Sequence, residues 1–275
     1  MAQIGVSEIT RLRKTTGAGM MDCKKALEES GGDFTKAIEV IRKKGQAIAN
    51  KRADREASEG VVLAKVSNND TLGAMIVLNC ETDFVAKNQI FIGLADKILN
   101  VALKEKPADL EALKKLALEG KTVSEKIIEQ VGIIGEKMEL AYYGKLEAEM
   151  VISYIHPGNR LATLVAFNKK CDPRVGKDVA MQVAAMNPIA VDKDDVPAEI
   201  LEKEREIGRE QALLEGKPEN IVDKIAEGKL QKFFKESTLL NQDFTKDSKK
   251  TIRQYLQEAD KSLVVKAFRR YTLNM

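Results

Sequence analysis

The strongest constraint on this chain is that its sequence resembles itself. Leu72-Gly-Ala-Met-Ile-Val-Leu-Asn79 lies over Leu161-Ala-Thr-Leu-Val-Ala-Phe-Asn168. Each segment follows an apolar run, GVVLAKV from Gly60 and MVISYI from Met150, and then a turn, which reads as a β-hairpin. Each then enters a helix-prone stretch, from Ile92 in the first copy and from Val175 in the second. Further on, Lys121 to Tyr142 matches Lys250 to Tyr271, with Thr122 over Thr251, Glu129 over Glu258 and Lys137 over Lys266. Each of these reads as a helix leading into a closing strand. Two such units predict an α+β fold, each a small antiparallel sheet with helices on one face.

The copies differ in two informative places. Thirteen positions separate Asn79 from Ile92, but only seven separate Asn168 from Val175, so the first unit carries an enlarged junction within CETDFVAKNQIF. Phe84 sits there among polar residues, either as an anchor for a partner or as a folded-back core residue. The second unit carries a net insertion of 40 residues before Thr251. Ala198 to Glu215 is helix-prone, Gly216-Lys217-Pro218 is a helix-to-helix turn, and Ile221, Val222, Ile225, Leu230 and Phe233 mark a second helix. This predicts an antiparallel helical hairpin, largely a solvated arm and a candidate surface for self-association.

Ahead of the repeat, three short helices are expected. Ser7 is positioned to cap the first, with Ile9 and Leu12 as its apolar face. The second runs from Met20 to Glu29. Asp33 caps the third, in which Phe34, Ala37, Ile38 and Ile41 recur at helical spacing before Gly45 ends it. Met20 leads onto a core-like face through Cys23 and Leu27. Met21 heads a charged face, as a partner contact or a scattered surface methionine. Arg42 to Arg55 holds six basic residues, read as a helix-prone linker or an RNA contact.

Chemistry is poorly provided for. The 45 Lys and Arg nearly cancel the 42 Asp and Glu, which argues against a chain whose main task is wrapping nucleic acid. The three cysteines, Cys23, Cys80 and Cys171, form no CxxC pair and read as reduced thiols, and His156 is the one histidine. It sits in SYIHPGNRL, where Pro157, Gly158 and Asn159 predict a tight turn. There is no GxxxxGK[ST] motif, no apolar span of membrane length and no apolar signal core, so a cytoplasmic binding protein without cofactor is expected rather than an enzyme.

TGAGMMDCKKAL (Thr16 to Leu27), NCETDFVAKN (Asn79 to Asn88) and the charged hairpin occur in that order, and together they resemble the bacterial translation elongation factor Ts family over nearly the whole chain. The resemblance implies a ubiquitin-associated-like helical domain with its basic linker over 1–56 and a core N-subdomain over 57–145. It further implies a core C-subdomain over 146–195 and 236–275, and a coiled-coil hairpin over 196–235. It implies guanine-nucleotide exchange on elongation factor Tu, with Thr82, Asp83, Phe84 and Val85 displacing magnesium in the partner and Arg13, Met20, Met21 and His156 contacting it. Two departures accompany the match. Gln182 stands where the family often has histidine, and the chain closes at FRRYTLNM without the trailing helical module of some members.

Three rival readings follow from the residues: an RNA-binding protein using Arg42 to Arg55, a cysteine-dependent enzyme using Cys80 and His156, and a scaffold binding through the front helices alone.

Overall fold

A computed structural model describes residues 4–273, a mixture of helices and small sheets of the α+β class. The chain forms two compact units. One combines residues up to Leu63 with Met75–Gly144; the other combines Ala64–Ala74 with Lys145–Tyr271.

The first unit begins with α1 (Val6–Thr16), α2 (Met20–Glu29) and α3 (Phe34–Lys51), packed around Leu12, Cys23, Leu27 and Ala37. Gly17, in the left-handed region at φ 71°, ends α1 and donates its N–H to the Arg13 carbonyl. The cap of α1 is Gly5 rather than Ser7: the Glu8 carboxylate reaches back to the Gly5 N–H at 3.0 Å, which fixes the start two residues earlier. Asp33 caps α3 as expected, accepting from Lys36 N–H at 3.0 Å.

Gly45 does not end α3, which continues to Lys51. It lies at a helix crossing instead. A Cβ on the facing Gly132 would lie 2.7 Å from the Gly45 Cα, so only glycine fits at position 132, whereas a Cβ on Gly45 would meet the Ile128 carbonyl at an ordinary 3.5 Å.

Gly132 belongs to α7 (Val123–Ile134), which packs against α3. Before it come β1 (Glu59–Val66), β2 (Leu72–Cys80), α4 (Asp83–Ala86), α5 (Gln89–Glu105), α6 (Leu110–Lys115) and the two-residue strands β3 (Ala117–Leu118) and β4 (Lys121–Thr122). β5 (Met138–Glu147) closes the sheet in the order β1-β2-β5. Phe91, Leu94, Ala95, Ile98, Leu99 and Ala102 form the buried stripe of α5 at helical spacing.

The following segment gives β6 (Met150–Ile155) and β7 (Leu161–Phe167), antiparallel with Met150 opposite Phe167, and then α8 (Pro173–Met186) packed on both. The turn between the strands places Gly158 and Asn159 in the left-handed region, as Gly-Asn after proline predicts. α9 (Ala198–Leu214) and α10 (Glu219–Ser237) pack together as a helical hairpin about Gly216, at φ 72°. Gly208 lies against Ala226, and Arg209 pairs with Asp223 at 2.7 Å. The chain returns through β8 (Asp243–Phe244), β9 (Asp247–Thr251) and α11 (Ile252–Ala259) to β10 (Val265–Thr272), giving the sheet order β10-β7-β6.

The matched helices start alike. Thr122 caps α7 with Glu125 reaching back to its N–H, and Thr251 caps α11 with Gln254 doing the same. Behind these caps, Lys121 pairs with Glu129 at 2.8 Å and Lys250 with Glu258 at 2.6 Å.

Candidate functional site

The enlarged junction after β2 is a one-turn helix with alternating exposure. Thr82, extended at φ −124°, caps α4 by accepting the Val85 N–H at 3.4 Å. Val85 turns inward and is buried, whereas Phe84 beside it is 82% exposed. Asp83 pairs with Lys87 at 2.6 Å, and that partner holds its carboxyl below the usual carboxylate range against the opposing effect of burial. Asn88 then caps α5, accepting from Ile90 N–H at 2.8 Å. A phenylalanine left in water on a hydrogen-bonded turn withholds roughly 1.5–3 kcal/mol of burial that a partner can supply.

The root of this turn is held by two carboxylates. Glu136, between α7 and β5, accepts the Thr82 N–H at 3.1 Å and the Thr82 hydroxyl at 2.8 Å. Glu81 accepts the Lys137 N–H at 2.6 Å and the Arg52 guanidinium at 2.7 and 2.9 Å, with Arg55 at 3.4 Å. Segments 81–82 and 136–137 therefore each send a carboxylate to the backbone of the other. Burial opposes ionisation of Glu81, but the Lys137 N–H and Arg52 outweigh it and lower its pKa. Neither carboxylate stood out in the sequence, because nothing local indicates that residues 54 positions apart are neighbours.

α5 starts at Gln89, three residues before the expected Ile92, and Ile90 in its first turn is 62% exposed because Phe91 and Leu94 define the inward face of α5 and leave Ile90 off it.

The other expected site residues are spread over the chain. Arg13 is exposed in the last turn of α1. Met21 is 64% exposed and Met20 39%, while Cys23 and Leu27 below them are buried. His156 is exposed after β6, its Nδ1 3.0 Å from the Tyr154 hydroxyl.

Gln182 is fully buried in α8. Its amide nitrogen donates to Gln242 Oε1 at 3.2 Å and to the Asp243 carbonyl at 3.1 Å, and its oxygen accepts the Thr245 N–H at 3.0 Å. It is an internal strut rather than a surface contact.

Two of the rival readings are weakened. Cys80 is buried, and burial, with Glu136 and Glu59 nearby, pushes its thiol up to about 12, so it holds no thiolate at neutral pH. In the basic stretch, Arg42 meets Glu125, Lys44 meets Asp22, and Arg52 and Arg55 meet Glu81, all within the same unit. Among the described residues, no helix is long and apolar enough to cross a membrane, and no cluster of His, Cys, Asp and Glu could hold a metal ion.

The family model described as Elongation factor TS matches residues 81–275, a span that opens at the clasped Glu81. Proteins named elongation factor Ts are similar over nearly the full length. The one from Porphyromonas gingivalis is 54% identical, covering 98% of both chains. That from Amoebophilus asiaticus is 54% identical over 97% of this chain and 98% of its own. The protein from Christiangramia forsetii is 49% identical over 99% of this chain and 100% of its own. The chain belongs to the elongation factor Ts family. These relatives carry the name elongation factor Ts.

Proposed function

We propose that this chain is a guanine-nucleotide exchange factor that binds elongation factor Tu in its GDP state, displaces magnesium and promotes GDP release so that GTP can bind. The observation that carries the reading is Phe84, an aromatic ring held out in solvent on a capped turn inside the family motif. In this reading Phe84 wedges into the partner's GTPase domain. Asp83 holds the loop, through its pair with Lys87, or redirects hydrogen bonds near the metal site, while Thr82 and Val85 fix the turn that carries them.

Such a factor needs no nucleophile. A GTPase grips GDP through backbone amides, a lysine and magnesium, and the factor acts by binding the nucleotide-free shape more tightly. The coupling is reciprocal: GDP weakens the factor's hold as much as the factor weakens GDP's. A thousandfold acceleration requires about 4 kcal/mol, more than the roughly 1.5–3 kcal/mol of one buried phenylalanine. The remainder is assigned to a broad interface that includes Arg13, Met20, Met21 and His156.

The same reading takes residues 1–56 as a ubiquitin-associated-like domain, 57–145 and 146–195 with 236–275 as duplicated subdomains, and 196–235 as an inserted hairpin. Leu213 and Leu214, exposed where that hairpin turns, are its candidate surface for self-association.

The test mixes the protein with elongation factor Tu carrying fluorescent GDP and follows release. Phe84→Ala is expected to slow catalysed release at least about tenfold, the equivalent of roughly 1.4 kcal/mol, with an unchanged melting curve. Near-normal release would reject the wedge.

A further inference from the structure

A four-residue helix is shorter than any that holds itself in water, since a single turn fixes several dihedrals for one or two hydrogen bonds. α4 is therefore ordered by what surrounds it. Five hydrogen bonds converge on Thr82. Its N–H and hydroxyl both donate to Glu136. Its carbonyl accepts from Ala86 N–H at 3.2 Å and from the Cys80 thiol at 3.2 Å. Its hydroxyl oxygen, once the proton is committed to Glu136, presents a lone pair to the Val85 N–H.

Glu136 thus decides which way the capping hydroxyl points. Without that carboxylate the hydroxyl can still accept from the Val85 N–H, but it and the Thr82 N–H lose their shared acceptor, and the root of α4 is no longer tied to the segment before β5.

The second copy has no such arrangement. There Asn168 and Val264 bond directly, Asn168 N–H to the Val264 carbonyl at 3.1 Å and Val264 N–H to Asn168 Oδ1 at 2.9 Å. In the first copy the matching Asn79 Oδ1 is buried without a partner, and the carboxylate clasp stands two residues further on. The clasp accompanies the enlarged junction and not the repeat in general.

We infer that Glu136 is a positioning residue for exchange: by holding both polar hydrogens of Thr82 it orients the cap of α4 and so fixes the direction in which Phe84 is presented. This assignment rests on the exchange reading above.

The experiment measures fluorescent GDP release from elongation factor Tu over a range of factor concentrations, with the full-length chain. Glu136→Ala is expected to lower kcat about fivefold, as loss of a charge-assisted hydrogen-bond pair implies, while KM stays within about twofold. Thr82→Val, which keeps the carboxylate, should lower kcat in the same way, and Thr82→Ser should restore it. In a Phe84→Ala background, Glu136→Ala should add less than about a 1.5-fold loss, because its effect travels through that ring.

A normal kcat for Glu136→Ala, or an undiminished fivefold loss without the ring, would overturn the assignment. Should Glu136→Ala melt early, the Thr82→Val and Thr82→Ser pair decides: equal rates in the two defeat it. Normal exchange by Phe84→Ala alone would instead reject the wedge itself, so the two failures are distinguishable.

Discussion

The two strand-to-helix junctions of this chain do the same topological job with different means. After β7, Asn168 ties directly to Val264, and Lys169 crosses to Asp260 and Ser262 before α8 begins at Pro173. After β2, the chain travels further, inserts a helical turn, and is held by Glu81 and Glu136 in place of ladder-like bonds. Lengthening a junction removes its residues from the backbone ladder, and their polar groups then need side-chain partners. The long one projects an aromatic ring into water and needs long-range anchors to keep it there.

The helices that follow sharpen the comparison. By the repeat's own register, Leu99 of α5 corresponds to Gln182 of α8, and both are buried. Gln182 is tolerated because Gln242, Asp243 and Thr245, on the return from the helical hairpin, satisfy its amide. The first copy has no such return segment, so Leu99→Gln should be the most damaging change considered. It loses a buried leucine and strands an amide, at about 3 kcal/mol or more by urea unfolding. The reverse change, Gln182→Leu, leaves the Thr245 N–H and the Gln242 amide short of a partner, and about 1–3 kcal/mol is expected. If Leu99→Gln proved milder than Gln182→Leu, the inserted segment would not be what licenses the polar core.

A smaller effect separates the junctions by pH. The folded-state pKa of Glu81 is lowered, so its stabilisation is complete above the ordinary carboxylate value and is lost as pH falls through the lower folded value. Glu81→Gln should therefore melt below the wild type at pH 7, with the gap closing below about pH 4.3. A gap that persisted unchanged into acid would mean that the Arg52 pairing contributes nothing through charge.

The smallest expected effects lie in the matched lysine pairs. Lys121 and Glu129 are both mostly shielded, whereas Glu258 is largely exposed. Glu129→Gln should lower Tm by more than Glu258→Gln, and the latter by less than about 2 °C.

Much of this architecture was legible before any coordinates. The hairpins followed from paired apolar runs and the turns between them, and the helical arm from Gly216 between two helix-prone runs. Phe84 stood out because an apolar ring occupied an insertion that the other copy lacks.

What was not legible depends on distance along the chain. Gly45 read as a helix terminator because glycine ends helices more often than it lets them cross. Only the facing Gly132, far along the sequence, reveals the close approach. Glu136 and Glu81 carry no local signal for the same reason. Gln182 stood out only as a departure from the family's histidine, and its three partners far along the chain show what it does.

The crossing at Gly45 has a mechanical corollary. α3 is one unbroken rod of 18 residues, packed into the front bundle by Ala37 at one end and capped by Arg52, which grips Glu81, at the other. No hinge lies between them, so tilting the bundle must either drag the base of the Phe84 turn along or tear the guanidinium from its carboxylate. A load applied to the three front helices is in that way delivered to the aromatic tip as leverage.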